Sequence, residues 1–79
     1  MPKIEDQEII EFIQTKILKK QLAINPETKL FEDGLLNSMN ILNLIGFIEK
    51  NLGRRIKDSE IVMKNFSSVK AIKTTFFNH

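Results

Sequence analysis

Residues 39–52 are the most apolar stretch of the chain and constrain its fold more than any other segment. Most of them carry Met, Ile, Leu or Phe side chains, spaced so that a helix would be apolar over more than one face. Asn37 or Ser38 is suited to cap the start of this helix, and Gly53 is suited to end it. The segment therefore predicts a helix from near Ser38 that is buried on several sides or presents part of itself to a partner. Gly46, in its middle, is expected to let a neighbouring helix pack closely or to leave room for a ligand chain.

The chain is short enough for this helix to belong to a single domain of residues 1–79. A chain of 79 residues buries only about 60 to 65% of the surface that it exposes when unfolded. It contains no cysteine, so neither a disulfide nor a thiolate metal site stabilises it, and its 42% of apolar residues must hold it together by packing. Because contacts within helices are mostly local, this composition favours a compact helical bundle.

Two further segments have the apolar spacing of amphipathic helices. In residues 4–20, Ile9, Ile13 and Ile17 recur every four residues, and acids precede lysines along the segment, as the helix dipole favours. Residues 66–77 have a similar apolar stripe after a pair of candidate capping serines. The stripe comprises Val69, Ile72 and Phe76, and the candidate caps are Ser67 and Ser68.

The remaining two segments connect these helices. Residues 21–37 form a long connection, which Leu30 and Phe31 are expected to anchor to the core. Residues 57–66 predict a short third helix. Two of its apolar residues are expected to face inward: Ile61 and Val62. The sequence therefore predicts an all-α four-helix bundle with a long loop between helices 1 and 2 and a short third helix.

Charge and residue usage argue against several classes of function. The net charge is only +2, and the basic cluster GRRIK, residues 53–57, is less dense than the stripe of a nucleic-acid-binding protein. The only histidine is His79, the last residue, which is expected to be solvated and therefore unsuited to catalysis or metal binding. No apolar run is long enough to span a membrane, and the first residues lack a signal-peptide pattern. The sequence predicts a cytoplasmic protein that neither binds nucleic acid nor inserts into membranes.

Ser38 is the strongest candidate for a residue that takes part in a reaction, because it stands directly before the apolar helix. A serine hydrolase needs a base to activate the hydroxyl, and neither a suitable histidine nor a GxSxG context is present. A serine at a helix start is nevertheless well placed to carry a phosphate ester, since free N–H groups and the helix dipole stabilise negative charge there. On residue chemistry alone, Ser38 is either a capping residue or a modification site.

The residues on both sides of Ser38 follow an ordered pattern. The pattern lies in residues 28–56, TKLFEDGLLNSMNILNLIGFIEKNLGRRI. An apolar loop anchor is followed by acids, by Gly-Leu and by a serine that precedes a helix rich in Leu and Ile. The segment ends with an acidic residue, an apolar residue, a glycine and an isoleucine. Later, FSSVKAI begins the last helix. This order and spacing resemble the acyl carrier protein family over nearly the whole chain. Within it, GLLNSM is similar to the GLLDSM of D-alanyl and other stand-alone carriers.

The resemblance implies that Ser38 is esterified with 4′-phosphopantetheine, which a phosphopantetheinyl transferase takes from coenzyme A. Asn37 and Met39 flank that attachment point, and the thiol of the arm would hold an acyl group as a thioester. The chain would then be a non-catalytic, monomeric acyl carrier protein of fatty acid, other lipid, polyketide or nonribosomal biosynthesis, served by acyl- or aminoacyl-loading and condensing enzymes. The docking face implied for these partners comprises Met39, Leu42, Asn43, Arg54 and Arg55.

Two features distinguish this chain from the usual pattern of the family. The family has an aspartate before the serine, whereas this chain has Asn37, which caps a helix equally well. The second helix of fatty-acid carriers is acidic, whereas here it carries few acids and is followed by Arg54 and Arg55. Since charge complementarity governs partner choice, these features predict a specialised free-standing carrier. The alternatives are an aminoacyl carrier, of D-alanyl or peptidyl type, and an unmodified helical interaction module with the carrier fold.

Overall fold

The computed structural model of the protein describes residues 4–77. His79, which is expected to be solvated, lies outside the described residues. Three helices follow one another in chain order. Helix α1 comprises an α-helical part, Asp6–Phe12, and a π-helical continuation, Ile13–Leu18. Helix α2 is Ile41–Leu52, and helix α3 comprises Val69–Ile72 and a π-helical continuation, Lys73–Phe77. Two 3₁₀ turns lie between α2 and α3: Asp58–Glu60 and Met63–Phe66.

The predicted all-α bundle is confirmed, and its short third helical segment consists of the two 3₁₀ turns. Between these turns Ile61 and Val62 leave the helical region, and Val62 is extended with φ −126° and ψ 151°. Both are β-branched residues, which fit an extended backbone better than a helix. Within residues 4–77, no helix has the length and apolar character that crossing a membrane requires.

The expectation that Ile61 and Val62 face the core is wrong. Their exposed fractions are 37% and 41%, because the extended backbone between the two turns runs along the surface. Phe66, at the end of the second turn, is fully buried instead, and its ring centroid lies 5.4 Å from that of Phe76 in α3. The third segment is therefore attached to the core through Phe66.

All three helices contribute to one apolar core. Among the described residues, no polar or charged side chain is buried, so burial of apolar surface is the main source of stability here. Another aromatic pair, Phe12 of α1 and Phe47 of α2, stacks at a centroid distance of 4.3 Å beside this core. The fully buried core residues of the three helices are Ile9, Ile13, Leu44, Ile48, Val69, Ile72 and Phe76.

The long connection between α1 and α2 is fixed to the start of α3. The N–H of Leu30 donates to the carbonyl of Ser67 at 2.8 Å, and the N–H of Lys70 donates to the carbonyl of Pro26 at 2.8 Å. Leu30 is fully buried, and Phe31 packs against the core from a half-buried position. The predicted anchoring role of Leu30 and Phe31 is therefore confirmed.

The residues that end α2 and begin α3 are those that the sequence predicted. Gly53 ends α2 with φ 74°, and the hydroxyl of Ser68 caps α3 by accepting a hydrogen bond from the N–H of Ala71 at 3.0 Å. Helix α1 ends at Lys19, which adopts a left-handed conformation with φ 56°. Its side chain gives no sequence signal for that conformation, because glycine or asparagine usually occupies this position.

Candidate functional site

Ser38 lies in a turn that precedes the regular part of α2. The regular part of α2 runs from Ile41, but the N–H of Ile41 already donates to the carbonyl of Asn37, four residues back, at 3.1 Å, so the helical turn starts near Ser38 as expected. In the opening turn the N–H of Asn43 donates to the carbonyl of Asn40, three residues back, at 3.1 Å. This spacing is that of a 3₁₀ turn, which is tighter than an α-helical turn and common at helix ends.

Asn37 and Asn40 cap this turn reciprocally. The side-chain oxygen of Asn37 accepts hydrogen bonds from the N–H groups of Met39 at 2.8 Å and Asn40 at 2.9 Å. In return, the side-chain oxygen of Asn40 accepts from the N–H of Asn37 at 2.7 Å. Each side chain thus satisfies N–H groups that a helix start leaves free, as in a capping box. Asn37 is therefore the capping residue, as one of the two sequence-based options predicted.

The hydroxyl of Ser38 remains available because Asn37 does the capping. The Ser38 side chain is exposed, and within residues 4–77 its oxygen takes part in no hydrogen bond. A hydroxyl without a neighbouring base is a weak nucleophile. The geometry thus suits Ser38 as a point of attachment rather than as a catalyst.

The chain that leads to Ser38 is held to the core by two buried leucines. Leu36, two residues before Ser38, is buried, and its N–H donates to the carbonyl of the buried Leu30 at 3.0 Å. The side-chain amide of Asn40 also donates to the carbonyl of Leu35 at 3.1 Å. These bonds fix the approach to the turn, so the exposed hydroxyl is presented from a well-defined position.

Three of the predicted docking residues share the solvent face of α2 and its opening turn. Met39 is 81% exposed and Leu42 is 67% exposed, and Asn43 is exposed beside them. Residues three and four positions apart neighbour one another on a helix, so these side chains form a continuous patch next to Ser38. Exposed side chains of this size and polarity at one place are typical of an interaction surface.

The two predicted docking arginines have different surroundings. The guanidinium of Arg54 forms a two-bond ion pair with the carboxylate of Glu60, at 3.1 and 3.2 Å, and also donates to the carbonyl of Arg55 at 3.0 Å. Arg55 is exposed and, within the described range, takes part in no ion pair. Both arginines are exposed, but Arg54 also holds the loop after α2, whereas Arg55 has no ion-pair partner within the described range.

A second carboxylate ties the same loop to α2. One oxygen of Glu49 accepts a hydrogen bond from the N–H of Ile56 at 2.8 Å, and Ile56 is buried. Together with the Arg54–Glu60 pair, this contact turns the basic cluster into a fixed loop. The sequence predicted its basic charge but not its two carboxylate partners.

The Arg54–Glu60 pair makes the stability of the fold depend on pH. The hydrogen bonds from the Arg54 guanidinium and then from the Lys57 N–H lower the pKa of Glu60 from 4.5 to about 2. Because the folded-state pKa is depressed, the contribution of Glu60 to stability is present above about pH 4.5 and is lost as the pH falls towards 2.

We expect Glu60→Gln to lower the urea midpoint at neutral pH and to converge with the wild type in acid. Urea titrations over this range measure the difference, and Asp58→Asn, which also removes an exposed carboxylate, is the control. A difference that did not depend on pH would contradict this account.

The cap at Asn37 gives a separate prediction. Asn37→Ala removes the acceptor of two N–H bonds and is expected to reduce the free energy of unfolding by about 1 kcal/mol. Asn37→Asp retains the acceptor and adds a negative charge near the positive end of α2. Its free energy of unfolding is therefore expected to equal that of the wild type or to exceed it by up to about 1 kcal/mol. Urea denaturation followed by circular dichroism measures both. Equal losses for the two variants would exclude a capping role.

Sequence reasoning missed a second exposed apolar group, formed by Ile61, Val62 and Met63. These three consecutive residues lie at the junction of the two 3₁₀ turns, and Met63 is the most exposed of them. The sequence does contain a signal for this surface, because three adjacent apolar residues in so short a segment cannot all face one core. The structure thus adds apolar surface outside α2.

Comparison with known proteins gives a match among the solved structures. Neither a family model nor a curated protein matches the chain. A solved structure of the Bradyrhizobium japonicum glycine:carrier protein ligase, complexed with glycylated carrier protein, contains a chain that is 30% identical over 89% of this chain and 96% of its own length. The TM-score is 0.68, and the similar lengths identify the matched chain as the carrier protein. This chain therefore has the fold of the small carrier proteins and belongs to their family.

Proposed function

We propose that the chain is a carrier protein whose Ser38 hydroxyl is esterified with 4′-phosphopantetheine from coenzyme A. In this transfer the Ser38 oxygen bonds to the phosphorus that carries the pantetheine, the pyrophosphate bond of coenzyme A breaks, adenosine 3′,5′-bisphosphate leaves, and the hydroxyl proton passes to a base of the transferase. The observation that carries this proposal is the exposed hydroxyl at the start of α2, which the capping by Asn37 leaves without an intramolecular role. The attached arm supplies a thiol, a group that this cysteine-free chain lacks. The fold of the glycylated carrier protein supports the same role.

The residues around Ser38 position the arm and stabilise its charge. Asn37 and Asn40 hold the turn, and the positive end of the α2 dipole favours a phosphate diester on Ser38. The N–H groups of Met39 and Asn40 already donate to Asn37. The favourable electrostatics therefore come from the dipole, not from direct N–H bonds to the phosphate, which differs from the simple anion site expected at a helix start.

We propose an aminoacyl group as the cargo. The support is the similar chain of the glycine ligase complex, whose carrier protein is glycylated. A longer acyl group is the second candidate, which the resemblance of residues 28–56 to acyl carrier proteins supports. In both cases the chain delivers a thioester between enzymes and is not itself an enzyme. A loading enzyme is the first partner to expect, and Met39, Leu42, Asn43 and Arg55 are the proposed contacts.

The attachment is tested by incubating the chain with a broad-specificity phosphopantetheinyl transferase and coenzyme A, followed by intact mass measurement. We expect a single mass increase equal to one phosphopantetheine. A chain that gains nothing, while a known carrier gains the arm in the same reaction, would overturn the proposal.

The cargo is tested on the modified chain with the Bradyrhizobium japonicum glycine ligase and, separately, with an enzyme that activates fatty acids. Glycylation that hydroxylamine removes supports the aminoacyl assignment, because hydroxylamine cleaves thioesters. Acylation by the fatty-acid-activating enzyme without glycylation favours the second candidate.

A further inference from the structure

Asn37 and Ser38 form an exposed Asn-Ser peptide at the entrance to α2. Asparagine is a chemically labile residue, because the backbone nitrogen of the next residue can attack its side-chain carbonyl carbon and expel the amide as ammonia. A small next residue such as serine leaves this attack unhindered. Three atoms therefore control the reaction: the nitrogen that attacks, the oxygen that takes up negative charge and the amide nitrogen that leaves.

The structure leaves the attacking and the leaving nitrogen unengaged. Within residues 4–77, the backbone N–H of Ser38 donates no hydrogen bond, and the side-chain nitrogen of Asn37 takes part in none. The side-chain oxygen of Asn37, in contrast, accepts from the N–H groups of Met39 at 2.8 Å and Asn40 at 2.9 Å. Two donors at this distance stabilise the oxyanion that forms when a carbonyl carbon is attacked.

The other asparagines of the described range lack this combination. Asn25 precedes a proline, which has no N–H to attack with. The side-chain nitrogens of Asn51 and Asn65 each donate to a backbone carbonyl at 2.8 Å, and that of Asn40 donates to another at 3.1 Å. Asn43 lies inside α2 and precedes a bulky leucine. Asn37 is therefore the described asparagine best placed to react.

We propose that Asn37 is a deamidation site whose products decide whether Ser38 still receives the arm. The proton of the Ser38 N–H passes to hydroxide, the nitrogen bonds to Cγ of Asn37, and the Cγ–Nδ2 bond breaks as ammonia leaves with a proton from water. The product is a cyclic imide, which water then opens. Cleavage of the bond between the Ser38 nitrogen and Cγ gives aspartate, whereas cleavage of its bond to the main-chain carbonyl carbon gives isoaspartate.

The two products have opposite effects on the turn that presents Ser38. Aspartate keeps an oxygen acceptor in the capping position and adds a negative charge at the positive end of α2. Isoaspartate instead routes the main chain through the former side chain, which removes the cap from Met39 and Asn40 and displaces Ser38. This consequence rests on the proposed carrier function, to which it adds a loss of the attachment site as the chain ages.

The deamidation is tested by incubating the chain in mildly alkaline buffer, folded or unfolded in urea, and mapping its peptides by tandem mass spectrometry. We expect Asn37 to lose its amide before any other described asparagine, and no more slowly in the folded chain than in urea. Asn37→Ser, which keeps a capping oxygen but has no amide, is the matched control, and its peptide should keep a constant mass. An Asn37 that reacts in urea but survives in the folded chain would overturn the proposal.

The effect on Ser38 is tested on the separated aspartyl and isoaspartyl forms, the second identified with a protein isoaspartyl methyltransferase. With a phosphopantetheinyl transferase and coenzyme A, we expect the aspartyl form to react like the fresh chain. The isoaspartyl form should react at least about tenfold more slowly, because displacement of a reacting atom by about 1 Å can cost about a hundredfold in rate. Circular dichroism must show that this form is still folded.

The outcomes separate this inference from the proposed function. An isoaspartyl form that gains the arm as fast as the fresh chain overturns the inference, and the carrier function stands. A fresh chain that gains no arm overturns the carrier function and the proposed consequence for Ser38. Loss of the amide from Asn37 is measured without the transferase, so it is decided independently of the carrier function.

Discussion

Replacement of Ser38 by alanine is expected to abolish attachment of the phosphopantetheine arm and, with it, all loading of cargo. The free energy of unfolding should stay within about 0.5 kcal/mol of the wild type, because an exposed side chain without hydrogen bonds contributes little to stability. Intact mass measurement after incubation with a phosphopantetheinyl transferase and coenzyme A gives the first result. Urea denaturation gives the second.

Ser59 provides the matched control for this experiment. It is also exposed and lies in the 3₁₀ turn Asp58–Glu60, away from the start of a long helix. Ser59→Ala should gain the arm as the wild type does. If Ser38→Ala still gains the arm, the attachment point is a different residue. If Ser38→Ala retains full function in the cell, the chain is an unmodified interaction module with the carrier fold.

Replacement of Phe66 by alanine is expected to lower the free energy of unfolding by about 3–5 kcal/mol. The side chain is fully buried, and its ring packs against that of Phe76 with a centroid separation of 5.4 Å. A domain of this length has a total stability of roughly 4–12 kcal/mol, so the variant approaches global unfolding. The measurement is a urea titration followed by far-UV circular dichroism.

Met63 is the control because it begins the same 3₁₀ turn that Phe66 ends. It is 66% exposed, so Met63→Ala is expected to change stability by no more than about 0.5 kcal/mol. Similar losses for Met63→Ala and Phe66→Ala would contradict the assignment of Phe66 as the core attachment of this segment. Exposed Met63 is then free to serve in partner contacts.

The sequence was sufficient for features that depend on local chemistry. Asn37 is a strong capping residue whatever surrounds it, because its side-chain oxygen reaches N–H groups only two and three residues ahead. Gly53 ends α2 for an equally local reason, the freedom of glycine to adopt a positive φ. The apolar spacing of the three long helices predicted their existence and the all-α class, since helical periodicity directly defines a buried face. The attachment role of Ser38 followed from a resemblance and is still a proposal.

Only the tertiary structure decided which faces are covered. Ile61 and Val62 are as apolar as any core residue, yet they are partly exposed because the surrounding chain places Phe66 inside instead. Gly46 is exposed because α1 and α3 pack against the other side of α2. Arg54 pairs with Glu60 because the loop after α2 folds back over six residues. Burial and ion pairing depend on residues brought together by the whole fold, and local sequence chemistry does not specify which neighbours those are.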